Sequence, residues 1–240
     1  MRPVLSAGVG AWADGSVLAV DEAPNPWIDP SYVIDNWDSI LRYLGEHVRL
    51  TIGAVVLGAL IALPLALIAR RSRFLSATVL ATSTIVYTIP SLAMFAFIFP
   101  FSGLSATTVL IGLVAYSLVI LVRNFLAGLL GVPDDVREAA RGMGYGPARL
   151  FWQIDLPLAL PAFMTGLRIT AVSTVALTTV GVIVGHGGLG QLIIGGFNAN
   201  FYRAEIVTGT VGCILLALAA DVLLAGVERL VSPWARAVRA

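Results

Sequence analysis

Few side chains in this sequence could carry out covalent or metal chemistry. All 15 basic residues are arginine, so there is no lysine for a phosphate-binding P-loop, a Schiff base or a Ser-Lys dyad. A single cysteine, Cys213, excludes an intrachain disulfide and a CxxC metal site, and the two histidines, His47 and His186, cannot form an HExxH zinc site. There is no GxSxG motif. We therefore predict that the chain is not an enzyme and that it holds no cofactor or metal of its own.

The composition of the chain indicates that its structural elements are strongly apolar. Of 240 residues, 58% are hydrophobic and 12% are charged, and the mean hydropathy is +0.90. A soluble domain of this length cannot bury so many apolar side chains, so lipid must be the solvent for much of the chain. The net charge of +1 gives no indication of nucleic-acid binding. The composition favours an all-α integral membrane protein.

Runs without charged residues predict about five core transmembrane helices. Residues 50–69 give twenty uncharged positions, enough for one crossing of a hydrocarbon core about 30 Å thick. Residues 74–122 give 49 uncharged positions, which suits two helices with a break at residues 100–103. Two further spans each enclose one ionisable residue, Arg168 and Asp221. The predicted spans are 50–69, 75–99, 104–122, 158–184 and 206–227.

The distribution of arginine predicts how these helices are oriented. If the loop 123–157 is cytoplasmic, the segments on its side of the membrane hold ten arginines and the opposite segments hold four. The positive-inside rule favours this arrangement, with the N-terminus outside and the tail 229–240 in the cytoplasm. The acidic segment 1–46 then lies outside, and its residues 37–43 are expected at the membrane surface. Residues 1–20 fit a loose tail better than a weak signal peptide.

The loop between the third and fourth spans has the outline of a helix–turn–helix. Asp135 is expected to cap a first helix, with Glu138 bonding back to the cap. Two glycines supply a stop, and Pro147 opens a second helix that is expected to end before Pro157. The simplest interpretation is a capped connection between two spans, which any multi-span protein needs.

The same loop, residues 131–157, also fits a known pattern. Its Glu-Ala-Ala, Gly, Ile and Leu-Pro residues have the spacing of the EAA loop in the membrane subunits of ABC importers. The seven matching residues are Glu138, Ala139, Ala140, Gly144, Ile154, Leu156 and Pro157. The chain therefore resembles an ABC importer permease. The resemblance implies a type I permease fold over residues 47–228, in which the loop couples to an ATPase.

Further stretches are similar to permeases of the osmoprotectant branch, which import glycine betaine, choline, carnitine or proline betaine. The similarity runs from about residue 44 to residue 200, and the family usually has alanine where His186 stands. Residues 1–40 have no counterpart in it. The matching stretches are Gly45-Glu46-His47, Thr88-Ile89-Pro90-Ser91-Leu92-Ala93, Arg123-Asn124, Leu158-Ala159-Leu160-Pro161 and Gly187-Gly188-Leu189-Gly190.

The resemblance implies a set of partners and a mechanism in the bacterial plasma membrane. A pair of cytoplasmic ABC ATPases would bind ATP and magnesium, and a second permease, identical or paralogous, would complete the pathway. An extracytoplasmic solute-binding protein would deliver the solute and largely set its identity, through an aromatic cage that holds a quaternary ammonium. Closure of the ATPases would move the docked loops and switch the membrane helices between inward- and outward-facing states.

The sequence allows more than one role for several residues. Arg168 and Asp221 fit a structural ion pair, snorkelling to the interface, or a role in transport. The glycine-rich loop 185–190 lacks the lysine and the following hydroxyl residue of a phosphate site. This loop is instead interpreted as a flexible extracytoplasmic gate, as a contact with the binding protein, or as a plain loop. The residues concerned are Gly187, Gly188 and Gly190.

Polar and kink-forming residues of the second and third spans are candidates to line the substrate pathway. Pro90 is expected to kink the second span, although polar residues within spans more often bond to neighbouring helices. The candidate pathway residues are Tyr87, Thr88, Pro90, Ser91 and Asn124.

Three other functions are alternatives to an osmoprotectant permease. An ABC permease for another small solute, such as the amino acid methionine, is the nearest alternative. A self-sufficient secondary transporter or channel would need coupling carboxylates or a pore ring, and Asp221 is the one acidic residue deep in a span. An intramembrane enzyme would need a catalytic constellation that the sequence lacks.

Overall fold

The computed structural model describes residues 25–234, and all regular elements in that range are helical. Four long apolar helical stretches have the length of a membrane span, and a bent pair of helices makes up to a fifth. The helices are α1 (Pro30–Asp35), α2 (Trp37–Ala69), α3 (Arg73–Thr88), α4 (Ser91–Ser102), α5 (Ala106–Leu130), α6 (Asp134–Gly142), α7 (Pro147–Leu150), α8 (Leu156–Thr178), α9 (Gly190–Asn198) and α10 (Arg203–Val231). A π-helical turn, Phe151–Asp155, precedes α8, and a 3-10 turn, Thr179–Val184, follows it.

The first long helix, α2, begins well before the first uncharged run. Its 33 residues extend about 50 Å, whereas the hydrocarbon core is about 30 Å thick. Residues 37–43, expected at the membrane surface ahead of the first span, are the first turns of this continuous helix. Buried small residues recur every four positions on α2, which lets α5 approach closely. They are Ala54, Gly58, Ala62 and Ala66.

The second span is broken in its middle. A single helix was expected over 75–99, but α3 ends at Thr88 and α4 begins at Ser91, with a bend of 94° between them. Pro90 has no backbone N–H to continue the helix and disfavours a helical conformation at Ile89. The Tyr116 hydroxyl of α5 donates to the freed carbonyl of Ile89. The contact with α5 therefore stabilises a bend much sharper than an ordinary proline kink.

The helix α5 lies at the centre of the bundle and packs against α2, α3, α4 and α8. Phe125 of α5 stacks on Phe163 of α8, with ring centroids 4.3 Å apart. Beside this stack, Gly128 faces Ala159 and Ala162 of α8. The helices α5 and α8 therefore touch through backbone as well as side chains, which is typical of helix pairs in membranes.

We expect Gly128→Ala to destabilise the bundle. A methyl group there would lie 2.9 Å from the Ala159 carbonyl oxygen and 2.9 Å from Ala162 Cβ, so backbone would have to move. Overpacking of this kind costs about 1–3 kcal/mol, more than the helix propensity that alanine adds. Thermal unfolding in detergent, followed by the reaction of half-buried Cys213 with a thiol dye, should show a lower midpoint.

The matched control is Gly226→Ala on α10, where a new methyl group meets no atom within 4 Å. This substitution should leave the unfolding midpoint unchanged or raise it slightly, because alanine favours the helix. Equal midpoints for the two variants would contradict the close α5–α8 contact.

The chain between α5 and α8 departs from the expected helix–turn–helix in two details. The first helix begins at Asp134, its N-cap is Pro133, and no side chain bonds to the cap, so the predicted capping box of Asp135 and Glu138 is wrong. The second helix does not end before Pro157. It passes from α7 through the π-helical turn into α8, because Pro157 stands in the first turn of α8, where a missing N–H costs little.

Candidate coupling site and membrane charge cluster

The helix α6 lies at one end of the bundle, between the end of α5 and the π-helical turn that leads into α8. One face of α6 is exposed to solvent. Glu138 and Ala139 are exposed, whereas Ala140 is buried against the bundle. Gly144 follows with a φ of +82°, a left-handed conformation that favours glycine. The Tyr145 N–H then donates to the Ala140 carbonyl at 3.1 Å, which closes the end of α6. The helix is thus fixed to the bundle by one side and open on the other.

The seven residues of the Glu-Ala-Ala pattern do not share one surface. Ile154 and Leu156 lie in the helical run that enters α8 and are half-buried, and Leu156 packs against the core cluster of α2, α5 and α8. Two large apolar side chains of the same loop are exposed, Met143 by 68% and Trp152 by 65%. The part of the pattern that is open to a partner is therefore the start of the motif, at Glu138 and Ala139.

A buried carboxylate, Asp155, holds α6 to the bundle. Only 1% of its side chain is exposed. Its Oδ2 accepts from Arg70 Nη1 at 2.6 Å, and its Oδ1 accepts from Arg137 Nε at 2.9 Å. Arg137 also donates to the Leu129 carbonyl at the end of α5, and to Asp134 at 3.1 Å. We call Arg70, Arg137 and Asp155 the Asp155 cluster.

The Asp155 cluster joins four elements through charge-assisted hydrogen bonds. Burial lowers the pKa of Arg137, but its hydrogen bonds to Asp155 and Asp134 outweigh burial and raise the pKa above its usual value. Arg137 therefore keeps its charge, and it links α6 to the π-helical turn and to the end of α5. Arg70 completes the link to the end of α2. A displacement of α6 would therefore be transmitted through this cluster to α2, α5 and α8.

Sequence reasoning assigned no role to Asp155, although it lies inside the matching pattern. The available signal was one acidic residue in an otherwise apolar run, Ile154-Asp155-Leu156-Pro157. A charge in such a run is almost never buried without a partner. Its partners lie 85 and 18 positions earlier in the chain, so the sequence alone could not identify them.

A second charge cluster lies between α8 and α10 at the depth of the spans. Arg168 donates in a fork to Asp221, with Nε–Oδ1 at 2.9 Å and Nη2–Oδ2 at 3.1 Å. Its Nη1 also donates to Glu228 at 3.2 Å. The structure thus brings together the two ionisable residues selected from the sequence and adds a third. The side chains of Arg168 and Asp221 remain 33% and 37% exposed on an open cavity of about 400 Å³.

We expect an exchange of charges to test this pair. Arg168→Asp alone places three carboxylates together, and Asp221→Arg alone places two guanidinium groups together, so each should lower the yield of folded protein severalfold. The double variant restores one opposite pair and should recover most of the yield. The measurement is the monodisperse fraction of the extracted chain in size-exclusion chromatography. A double variant no better than the single variants would contradict a pair that stabilises the fold.

Four of the candidate pathway residues lie together at the break between α3 and α4. Tyr87 packs edge-on against Tyr116 of α5, with centroids 5.8 Å apart, and is half exposed. Thr88, Pro90 and Ser91 form the break itself. Asn124 is about 12 Å further along α5 from Tyr116, and its amide donates back to the Ile120 carbonyl at 2.8 Å. Asn124 therefore does not join the other four in one site.

The glycine-rich loop 185–190 is packed closely against the bundle. Gly187, Gly188 and Gly190 are all buried, and a Cβ on any of them would meet backbone atoms within 2.9 Å. The fully buried His47 of α2 accepts from the Leu189 N–H at its Nδ1, so its Nε2 carries the proton and donates to the Val175 carbonyl at 3.0 Å. A hydrogen bond of 2.7 Å between Glu46 and His186 adds a second link. Sequence reasoning did not predict this role for His47.

The long apolar helices, the small-residue contacts between them and the ion pair within the spans together define a multi-pass membrane protein of the all-helical type. Residues 54–237 match the family described as the binding-protein-dependent transport system inner membrane component. The match covers more than half of the chain, and the chain belongs to this family. The resemblance inferred from the Glu-Ala-Ala loop is thereby confirmed.

Named relatives match about 85% of the chain. The glycine betaine/carnitine/choline transport system permease protein OpuCD of Bacillus subtilis (strain 168) is 34% identical over 203 residues, which are 85% of this chain and 89% of that protein. The osmoprotectant import permease protein OsmW of Salmonella typhimurium is 31% identical over 211 residues, 84% of this chain and 96% of that protein. The chain is thus similar to permeases named for osmoprotectant transport.

Solved structures share the fold. A chain of the MetNI methionine ABC transporter in an inward-facing conformation superposes with a TM-score of 0.73, at 24% identity, over 80% of this chain and 95% of that chain. An amino acid ABC transporter solved with histidines gives a TM-score of 0.69 at 20% identity. At these identities the likeness concerns the fold, and it confirms the predicted type I importer permease architecture.

Proposed function

We propose that this chain is the membrane-spanning permease subunit of an ATP-driven importer of a small osmoprotectant, such as glycine betaine, choline, carnitine or proline betaine. The observation that carries the solute class is the similarity to relatives named for these solutes along 85% of the chain. The cleft between α8 and α10 and the break in the second span are the regions that an alternating-access movement would rearrange. Glu138 and Ala139 would couple that movement to ATP hydrolysis.

ATP and magnesium would be held by a pair of ATPase subunits that dock on the open face of α6. The attachment of α6 to the bundle supports this role. A helix that the Asp155 cluster binds to the bundle transmits a displacement better than a free loop does. The exposed Met143 and Trp152 supply apolar surface of the kind that interfaces bury.

A second permease subunit would complete the pathway. Ionisable residues at membrane depth face protein or a water-filled cavity, whereas the Arg168–Asp221 pair is partly open in this chain. Two relatives of the same named system in Bacillus subtilis, OpuCB and OpuCD, favour a paralogous partner over an identical one. An extracytoplasmic solute-binding protein would deliver the solute to the opposite end of the bundle.

The proposed topology places the N-terminal segment 1–46 outside and the tail 229–240 in the cytoplasm of a bacterium, with the transmembrane domain at 47–228. Its support is the concentration of arginine around the end of the bundle that carries α6, where four arginines line one pocket. Residues 1–24 and 235–240 lie outside the described residues, so the preference for a loose tail over a weak signal peptide in 1–20 stays a prediction.

Uptake of radiolabelled glycine betaine and choline tests the solute class. A strain that lacks this chain should lose uptake of both solutes, and a plasmid copy should restore it. Uptake of methionine should be equal in the two strains and serves as the control. Loss of amino acid uptake with normal uptake of both osmoprotectants would overturn the proposed solute class while leaving the permease role intact.

Recovery of partners from the native membrane tests the proposed assembly. A tagged chain extracted in mild detergent should bring along an ABC ATPase, a second permease and a solute-binding protein, identified by mass spectrometry. Recovery of the chain only with itself would contradict the importer and would favour a self-sufficient transporter.

A further inference from the structure

A basic pocket of about 240 Å³ lies at the end of the bundle where α2 leaves the membrane span. Four arginines line it, namely Arg70, Arg71, Arg137 and Arg141. Its two carboxylates, Asp134 and Asp155, are already bound by Arg70 and Arg137. The pocket therefore has two positive charges in excess.

Two of the four arginines are fixed in place, and two are available. Arg70 and Arg137 are held by the buried Asp155, so their positions on the pocket wall are set by the fold. Arg71 and Arg141 are exposed, and among the described residues they make no ion pair with an acidic side chain. Arginines that serve only to orient spans need not surround one cavity. This arrangement fits an anion that accepts several hydrogen bonds, as a phosphate group does.

The position of the pocket indicates where the phosphate comes from. Arg70 and Arg71 directly follow the last residue of α2, Ala69, so the pocket lies at the boundary between apolar span and water. Leu130 at the end of α5 lines the same pocket and is 56% exposed, which offers apolar surface to an acyl chain. A basic pocket between spanning helices at this depth suits a lipid headgroup.

We infer that this pocket binds the phosphodiester headgroup of an anionic phospholipid. The lipid phosphate would contact Arg71 and Arg141, and its acyl chains would lie along the bundle beside Leu130. Because Arg141 belongs to α6 and Arg71 follows the end of α2, a lipid phosphate bound to both would hold α6 against the end of α2. Lipid composition would then influence the stability of the coupling site.

Native mass spectrometry of the full chain tests the site. The purified protein is titrated with phosphatidylglycerol, with phosphatidylcholine as the zwitterionic comparison. We expect retention of one phosphatidylglycerol in preference to phosphatidylcholine. The double variant Arg71→Gln with Arg141→Gln should weaken phosphatidylglycerol binding by about tenfold or more, since each arginine near a lipid surface contributes about 1 kcal/mol. Both side chains are exposed, so the variant should keep its unfolding midpoint.

The matched control is the double variant Arg73→Gln with Arg149→Gln, which removes the same charge from exposed positions outside the pocket lining. It should change phosphatidylglycerol binding by less than about twofold, because general surface attraction is all that is lost. Equal losses for the two double variants, or no preference for phosphatidylglycerol in the wild type, would overturn the site. Displacement of the lipid by millimolar inorganic phosphate would identify free phosphate as the source of the anion and overturn the lipid assignment.

Discussion

We expect Asp155→Ala to destabilise the protein strongly, by about 3 kcal/mol or more. The substitution leaves two guanidinium groups, those of Arg70 and Arg137, without the carboxylate that both contact, in a site where the aspartate side chain is 1% exposed. Removal of one member of a buried ion pair leaves an uncompensated charge, which costs far more than the pair itself contributes. A lower thermal unfolding midpoint and a lower membrane yield should both follow.

The control for this prediction is Asp134→Ala, which removes the other carboxylate that binds Arg137. Asp134 also binds Arg137, at 3.1 Å, but its side chain is 89% exposed. Exposed ion pairs contribute about 0–1 kcal/mol, so the unfolding midpoint should move little. A midpoint for Asp155→Ala within experimental error of that for Asp134→Ala would show that the buried cluster does not hold α6 to the bundle.

The spanning helices could be predicted because the bilayer imposes a simple rule on the sequence. A span must be a long apolar run without unpaired charge, so the sequence located α2, α5, α8 and α10, although α2 begins 13 residues before its uncharged run and α8 and α10 each enclose a member of the Arg168–Asp221 pair. The bend at Ile89 was not predicted at its true size. Proline alone gives a modest kink, and the hydrogen bond that Tyr116 donates at the 94° bend comes from 27 positions further along the chain, where no local pattern indicates it.

Local rules also failed where two signals competed. Asp134 and Asp135 are both acceptable near a helix N-terminus, and the N-cap is Pro133, two residues earlier than the Asp135 that the capping-box pattern indicated. Pro157 was taken as a helix stop, although a proline in the first turn of a helix is equally compatible with a start. The π-helical turn at Phe151–Asp155 joins the two helices and directs Asp155 into the bundle, and no local pattern predicts such a turn.

The second large effect is expected from Gly144→Val. Gly144 has a φ of +82°, and a β-branched residue there is strained by roughly 1–2 kcal/mol or forces the turn into another conformation. The turn sets the direction of α6 relative to α7, so a changed turn would misplace the open face of α6. We expect betaine uptake to be abolished and the ATPase to be lost from the pull-down, while the chain stays in the membrane at a nearly normal level.

Gly146→Ala is the control for the turn. Gly146 has a φ of −71°, and a Cβ there meets no atom within 4 Å, so uptake and ATPase recovery should be preserved. Glu138→Arg tests the surface without altering the turn, because the Glu138 side chain is exposed and forms no hydrogen bond or ion pair in the region 25–234. It should leave stability within about 0.5 kcal/mol and yet remove the ATPase. If both Gly144→Val and Glu138→Arg retain the ATPase and normal uptake, α6 is not the coupling helix.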